Sequence, residues 1–112
     1  MKRIFTVLVV IVMLLCCLSA CNENRVKMAS NSMSPTIEAG DWVNYEVVED
    51  PSTLRQDDII VYETENGMST YRIVSIKQNE DGSLLFITKG DANDFVNDPV
   101  TEDQIIGRVI LK

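Results

Sequence analysis

The chain has 112 residues, which is enough for one small domain with a single core. Ten Lys and Arg residues against seventeen Asp and Glu residues give a net charge of −7, which disfavours nucleic acid and direct adsorption on anionic lipid. The sequence contains no histidine and no cofactor or metal motif, so we expect no cofactor and no metal ion to be bound.

The first twenty residues are typical of an export signal. Lys2 and Arg3 are followed by an uncharged and mostly apolar run over residues 4–18. A helix over that run would be about 23 Å long, shorter than the ~30 Å hydrocarbon core of a bilayer. We therefore predict that residues 1–20 are a cleaved signal peptide rather than a transmembrane helix.

The next residues, Leu18-Ser19-Ala20-Cys21, resemble the lipobox of exported bacterial lipoproteins. Small side chains at Ser19 and Ala20 fit a narrow processing cleft, and the Cys21 thiolate would be the nucleophile for lipid transfer. This predicts a lipoprotein held on the extracytoplasmic face of the cell membrane through Cys21. The alternative is an uncleaved signal anchor in which the cysteines are merely small apolar residues.

Cleavage at this point would leave Cys21 as the sole cysteine, so no intramolecular disulfide could form. It would remove two of the ten basic residues and none of the seventeen acidic ones, for a net charge of −9. We assign residues 21–26 to the lipidated cysteine and a tether, and residues 27–112 to one folded domain.

The mature chain is predicted to form short β-strands, because β-branched and aromatic residues cluster between turn-forming residues and helical periodicity is absent. Asn66-Gly67 and Asp81-Gly82 are hairpin dipeptides, and the continuous apolar run Ile59–Val61 indicates a strand covered on both faces. These features predict an all-β domain, a folded-over antiparallel sheet or barrel. The predicted strands are Arg25–Ala29, Asp41–Val48, Asp58–Glu63, Ser69–Gln78, Leu84–Thr88 and Ile105–Leu111.

Several short blocks of the chain occur in a recognisable order. They are Ser32-Met33-Ser34-Pro35, Leu54–Tyr62, Thr70–Val74, Lys89–Asn93 and Ile105–Ile110. Together they resemble the type I signal peptidase family over nearly all of residues 27–111. The block KGDAN, Lys89–Asn93, resembles the archaeal, endoplasmic-reticulum and sporulation-type branch, whose enzymes use Ser and His with an Asp. The resemblance implies a serine endopeptidase architecture with a cleft for an extended peptide.

Carried over by position, the resemblance makes Ser32 the nucleophile and gives Ser30 a role in holding the oxyanion with the Ser32 backbone N–H. Pro35 fixes its own φ and favours an extended Ser34. Asn31 stands where the family usually has Gly, and Asn tolerates positive φ. Taken alone, the same stretch is more typical of a simple turn.

The chain departs from the family at Tyr71. Thr70–Val74 reads T-Y-R-I-V where the branch has T-H-R-I-V, so the histidine base is replaced by a phenol, a poor base at neutral pH. The other bacterial branch has Lys there. Lys77 lies six residues along the same predicted strand, roughly 20 Å away, and Lys89 belongs to a block that active relatives also carry.

Two acidic residues complete the family pattern. Asp91 lies in KGDAN, and Asp98 occupies the region of the second carboxylate that orients the histidine, at a spacing about one residue longer than usual. Without a histidine neither has that task, and Asp91 could instead accept backbone N–H bonds in a turn.

Three functions remain open from the sequence. The first is a noncatalytic lipoprotein that binds an extended or signal-peptide-like segment. The second is an active serine endopeptidase in which Ser32 uses a non-standard base, and the third is a structural lipoprotein that reuses the fold. The sequence gives no oligomeric state.

Overall fold

Seven β-strands form one antiparallel sheet in a computed structural model, which describes residues 24–111 of the chain. In chain order they are β1 (Arg25–Lys27), β2 (Trp42–Val47), β3 (Ile59–Thr64), β4 (Gly67–Gln78), β5 (Leu84–Lys89), β6 (Val100–Thr101) and β7 (Ile105–Ile110). Across the sheet the order is β1-β2-β7-β3-β4-β5-β6, so β1 and β6 are its edge strands. The predicted all-β antiparallel fold is confirmed.

Both predicted hairpins are present, because β3 pairs antiparallel with β4 and β4 with β5. Gly67 and Gly82 have φ values of +110° and +90°, which explains why each turn contains glycine. Asn66 and Asp81 keep negative φ, so the positive dihedral falls on the glycine alone.

Strand β3 is covered on both faces, as its apolar run predicts. Ile59 and Val61 belong to one core cluster, and Ile60 and Tyr62 belong to a second, with all four side chains buried. The first cluster also contains Met28, Met33, Ile37, Val43 and Val109. The second also contains Leu54, Ile73, Phe86 and Val100.

All six predicted strands are present, with ends that lie within two residues of the predicted ones, and β6 is an additional strand. β1 ends at Lys27 rather than Ala29, because the chain then enters the loop that carries Ser32 and is turned back into β2 by Gly40 at φ +91°. β6 was not predicted because it has only two residues; its Val100 is fully buried opposite Phe86.

The first strand of the sheet begins at Arg25, which lies inside residues 21–26, the stretch assigned to the lipidated cysteine and tether. The predicted signal peptide and Cys21 lie outside the described residues. Among residues 24–111, no helix has the length and apolar character needed to cross a bilayer.

Candidate functional site

Ser32 lies in a loop, residues 28–41, that joins β1 to β2 and is here called the serine loop. Its base is closed where the Met28 N–H donates to the Asp41 carbonyl at 2.9 Å. Met33 and Ile37 anchor it, since both are buried in the first core cluster. The sequence thus anchors the loop through two buried apolar side chains, one and five positions after Ser32.

Polar contacts inside the serine loop differ from the expected ones. Asn31 has negative φ, so it does not replace glycine for its backbone; instead its side-chain oxygen accepts from the Ala39 N–H at 3.0 Å. The Ser34-Pro35 peptide bond is cis. Asn31 therefore ties the two ends of the loop together.

The hydroxyls of Ser30 and Ser32 are hydrogen-bonded, with 3.0 Å between their Oγ atoms. The Ser32 backbone N–H also points to the Ser30 Oγ, at a longer 3.4 Å. The two groups assigned to the oxyanion site therefore lie together, but in this arrangement they bond to each other. Ser32 is half-buried and Ser30 is exposed.

The KGDAN segment packs directly against the serine loop. The Ala92 N–H donates to the Ser32 carbonyl at 2.9 Å. Gly90 is so close that a Cβ there would lie 2.5 Å from the same Ser32 oxygen and 2.6 Å from the Asn93 side-chain nitrogen. Only glycine fits this contact without movement, so Gly90 sets how closely the two segments approach.

Asp91 is held by side chains from two other segments. Arg72 Nε and Nη2 donate to its two oxygens at 2.9 Å each, and Thr36 Oγ1 donates to Oδ2 at 2.7 Å. A third Arg72 nitrogen donates to the carbonyl of Asp57, which has φ +80°. Within residues 24–111 Asp91 accepts no backbone N–H bond, so the turn-cap alternative for it is wrong.

Hydrogen bonds within this network shift the pKa of both Asp91 and Arg72. The hydrogen bonds from Arg72 hold the pKa of Asp91 below its usual value, against the opposing effect of burial, and Thr36 adds to the lowering. The same hydrogen bond raises the pKa of Arg72. Asp91 is therefore a weaker proton acceptor than a free carboxylate.

Tyr71, which the sequence resemblance places at the position of the base, is a packing residue on β4 opposite Ile60. It is half-buried, contacts both core clusters and lies 6.3 Å from Tyr62, measured between ring centroids. In the described part of the chain, no hydrogen bond joins its hydroxyl to Ser30 or Ser32.

Tyr71 forms a wall shared by two cavities. The smaller, about 180 Å³, is here called the groove; residues 26–30 and 68–71 line it, so it brings Ser30 and Tyr71 together. The larger, about 650 Å³, brings Tyr71 together with the exposed Asp98 and with Asn97. Asp91 lines neither, so the two acidic residues lie in different surroundings.

Beneath the larger cavity, Tyr62 and the fully buried Thr88 share a hydrogen bond of 3.1 Å between their hydroxyls. Asn97 also donates to the Thr88 hydroxyl at 3.1 Å. Burial raises the pKa of Tyr62, so this phenol stays protonated.

The amine of Lys89 is hydrogen-bonded to the loop that follows it. Its Nζ donates to the carbonyl oxygens of Gly90 at 2.9 Å and Asn93 at 2.6 Å. It therefore shapes the KGDAN segment, as expected for a structural lysine. Among residues 24–111 no group of three or more His, Cys, Asp or Glu side chains is arranged to hold a metal ion.

Sequence reasoning missed Arg72, Thr36 and Gly90 as parts of this site. Arg72 could have been found as a charged residue within an apolar strand, which needs an acidic partner. Thr36 gives no comparable signal, because an exposed threonine in a loop is unremarkable.

A scan against protein-family models found no match to the chain, and a search of curated proteins also found none.

Proposed function

We propose that this protein is a membrane-attached, noncatalytic relative of type I signal peptidases whose groove binds an extended peptide. The observation that carries the proposal is the groove itself. It combines a strand edge that is unpaired within residues 24–111 with Ser30, whose Oγ lies 3.4 Å from the Ser32 backbone nitrogen, and it has a phenol where a base would be needed.

Within residues 24–111 no basic group is hydrogen-bonded to the Ser32 hydroxyl, which argues against catalysis. A serine hydroxyl attacks an amide only when a neighbouring group takes its proton. Ser32 bonds to another neutral hydroxyl, Asp91 is paired with Arg72, and Lys89 donates to two carbonyl oxygens. A serine protease deprived of its base loses roughly a million-fold in turnover.

The edge of β4 supports peptide binding. Residues 67–72 of β4 pair with β3 on one side, whereas β5 pairs only with Arg72–Gln78. The other side of residues 67–71 therefore has no strand partner within the described chain, and it faces the groove. A peptide could add there as a further strand through its backbone N–H and C=O groups.

Membrane attachment belongs to the same proposal. It is supported by the sequence of residues 1–21, which resembles an export signal followed by a lipobox at Cys21. Attachment at residue 21 would keep the groove near the surface where exported segments emerge.

The second candidate is an active endopeptidase with a non-standard base. Its support is the intact Ser30 and Ser32 pair, which an unused site has no need to keep. A base would then come from a companion chain, because the amine of Lys89 already has two carbonyl partners.

The test measures binding of a fluorescent peptide with an Ala-X-Ala segment to the full chain in detergent, by anisotropy. Two further peptides carry N-methyl groups on alternating residues, because strand addition requires alternate N–H groups to pair. We expect the unmodified peptide to bind and at least one methylated peptide to fail.

A matched pair of variants locates the binding. Met68→Asp changes the groove wall, and Val47→Asp changes a similarly exposed apolar strand residue outside it; the two side chains are 48% and 56% exposed. Only Met68→Asp should weaken binding. Equal binding of all three peptides, or equal loss in both variants, would refute strand addition in the groove.

A further inference from the structure

The outer face of β1, β2 and β7 carries apolar side chains exposed to solvent. Val43 and Val109 point into the first core cluster, so their strand neighbours Trp42 and Ile110 point outward. Trp42 is 63% exposed, Ile110 48% and Leu111 54%. These three residues, here called the tryptophan patch, line one cavity of about 300 Å³.

Two cations border the tryptophan patch. Lys27 lies directly opposite Trp42 on β1, and Arg25 lies opposite Asn44. The Arg25 Cζ and Lys27 Nζ atoms are 5.6 and 6.0 Å from the centroid of the Trp42 ring. The patch is thus locally basic in a chain whose net charge is −7.

Two acidic residues lie beside the patch. Glu46 pairs with Arg108, whereas Asp41 lines the same cavity as Trp42 and its carboxylate accepts from the neutral Glu38 N–H at 3.0 Å. Two cations therefore stand against one carboxylate without a cationic partner in the described chain. Arg25 and Lys27 make no ion pair in the part of the chain that the structure describes.

The patch lies beside the point where the membrane-directed segment joins the sheet. Arg25 is the first residue of β1 and follows the apolar run of residues 4–18 and Cys21. Three residues lie between Cys21 and Arg25, so the two Cα atoms are at most roughly 14 Å apart at full extension. The bilayer surface is therefore within reach of the patch whether the leader is cleaved or retained.

We infer that the tryptophan patch rests on the bilayer, with Trp42 at the level of the lipid headgroups and Arg25 and Lys27 against anionic phosphates. Tryptophan favours this interfacial level, and cations next to it gain from a negative surface. This inference rests on the proposed membrane attachment and adds which face of the domain contacts lipid. It also restricts how the domain can turn about its tether.

Trp42 is the sole tryptophan of the chain, so its fluorescence reports this surface alone. The experiment incorporates the full chain into vesicles of phosphatidylcholine and phosphatidylglycerol, with acyl chains brominated near the headgroup. Flotation of the vesicles shows whether the chain is attached to them. Trp42 emission shows whether the tryptophan patch contacts the lipid. We expect the chain to float, with Trp42 emission shifted to the blue, quenched by brominated lipid and shielded from aqueous iodide.

Two sets of variants control the result. Arg25→Gln/Lys27→Gln should reduce quenching on anionic vesicles, whereas Arg55→Gln/Lys77→Gln, which removes exposed cations elsewhere, should leave it unchanged. A tryptophan introduced by Glu80→Trp in a Trp42→Phe chain lies in the exposed β4–β5 turn and should stay accessible to iodide.

A chain that floats while Trp42 stays open to iodide and unquenched by lipid would overturn this inference and leave attachment standing. A chain that does not float would overturn both. Shielding of Trp42 from iodide without quenching by brominated lipid would mean that a second copy or another protein covers the patch, which also contradicts the inference.

Discussion

Arg72 donates to both carboxylate oxygens of Asp91, from Nε and Nη2 at 2.9 Å each. The two side chains are only 26% and 19% exposed, so solvent screens the pair weakly. Through Thr36 the same carboxylate reaches the serine loop. Asp91 therefore has a task that needs no histidine: it joins β4 to the loop that carries Ser32.

Replacing Asp91 with Asn should destabilise the domain by about 2 kcal/mol, because hydrogen bonds to charged groups contribute about 1.5–3 kcal/mol and Arg72 would lose its carboxylate. Urea unfolding at neutral pH measures the change. Asp94→Asn removes an exposed carboxylate from the same segment and should have little effect. Equal stability of the two variants would mean that the ion pair contributes nothing.

The Asp91 contribution should depend on pH in one direction. Its pKa is lowered in the folded state by the hydrogen bonds from Arg72, so the stabilisation is complete above the unfolded pKa, near 3.9. It is lost as the pH falls from there through the lower folded pKa. The stability gap between the parent chain and Asp91→Asn should therefore be constant at neutral pH and shrink below about pH 4. A gap that widened on acidification would contradict this sign.

Gly90→Ala should loosen the contact between KGDAN and the serine loop. The new Cβ would lie 2.5 Å from the Ser32 carbonyl oxygen, so one segment must move, at a cost of about 1–3 kcal/mol. Hydrogen exchange of the Ala92 amide, which donates to that oxygen, should become faster. Gly67→Ala is the control, since it meets no atom within 4 Å and is strained only by its positive φ; it should leave the Ala92 amide protected.

Thr88→Val should cost about 1–3 kcal/mol, because it leaves the buried Tyr62 hydroxyl and the Asn97 amide without a shared partner. Adding Tyr62→Phe removes the hydroxyl that Thr88→Val leaves without a partner. The loss of stability in the double variant should therefore be smaller than the sum of the losses in the two single variants. Denaturant unfolding of all four chains gives the coupling directly. Strict additivity would show that the two hydroxyls do not interact.

Most of the strand framework could be predicted from the sequence. The glycine-containing turns correctly predicted two hairpins, and the run Ile59–Val61 correctly predicted a strand buried on both faces. These signals are local, since strand alternation and turn dihedrals depend on neighbouring residues. β6 was not predicted, because two residues are too few to show the alternation of a strand.

The site was less predictable because its contacts are distant in sequence. Arg72 and Asp91 are nineteen positions apart, and Thr36 and Asp91 are fifty-five. The sequence identified Ser30, Ser32 and Asp91 as chemically interesting, but not which of them would meet. Their pairing follows from β4, β5 and the serine loop coming together in three dimensions.

The proposed noncatalytic role depends most directly on Ser32 having no proton acceptor, since among residues 24–111 its hydroxyl bonds only to the Ser30 hydroxyl. The decisive measurement is cleavage of a signal-peptide substrate by four full-length chains: the parent, Ser32→Ala, Tyr71→His and the double variant Tyr71→His/Ser32→Ala. Mass spectrometry of the products identifies the cleaved bond, and peptide binding is measured alongside.

We predict that the parent cleaves no faster than Ser32→Ala while still binding the peptide, and that Tyr71→His gains activity that the double variant loses. Cleavage by the parent chain that disappears in Ser32→Ala would contradict the account, because Ser32 would then have a working base.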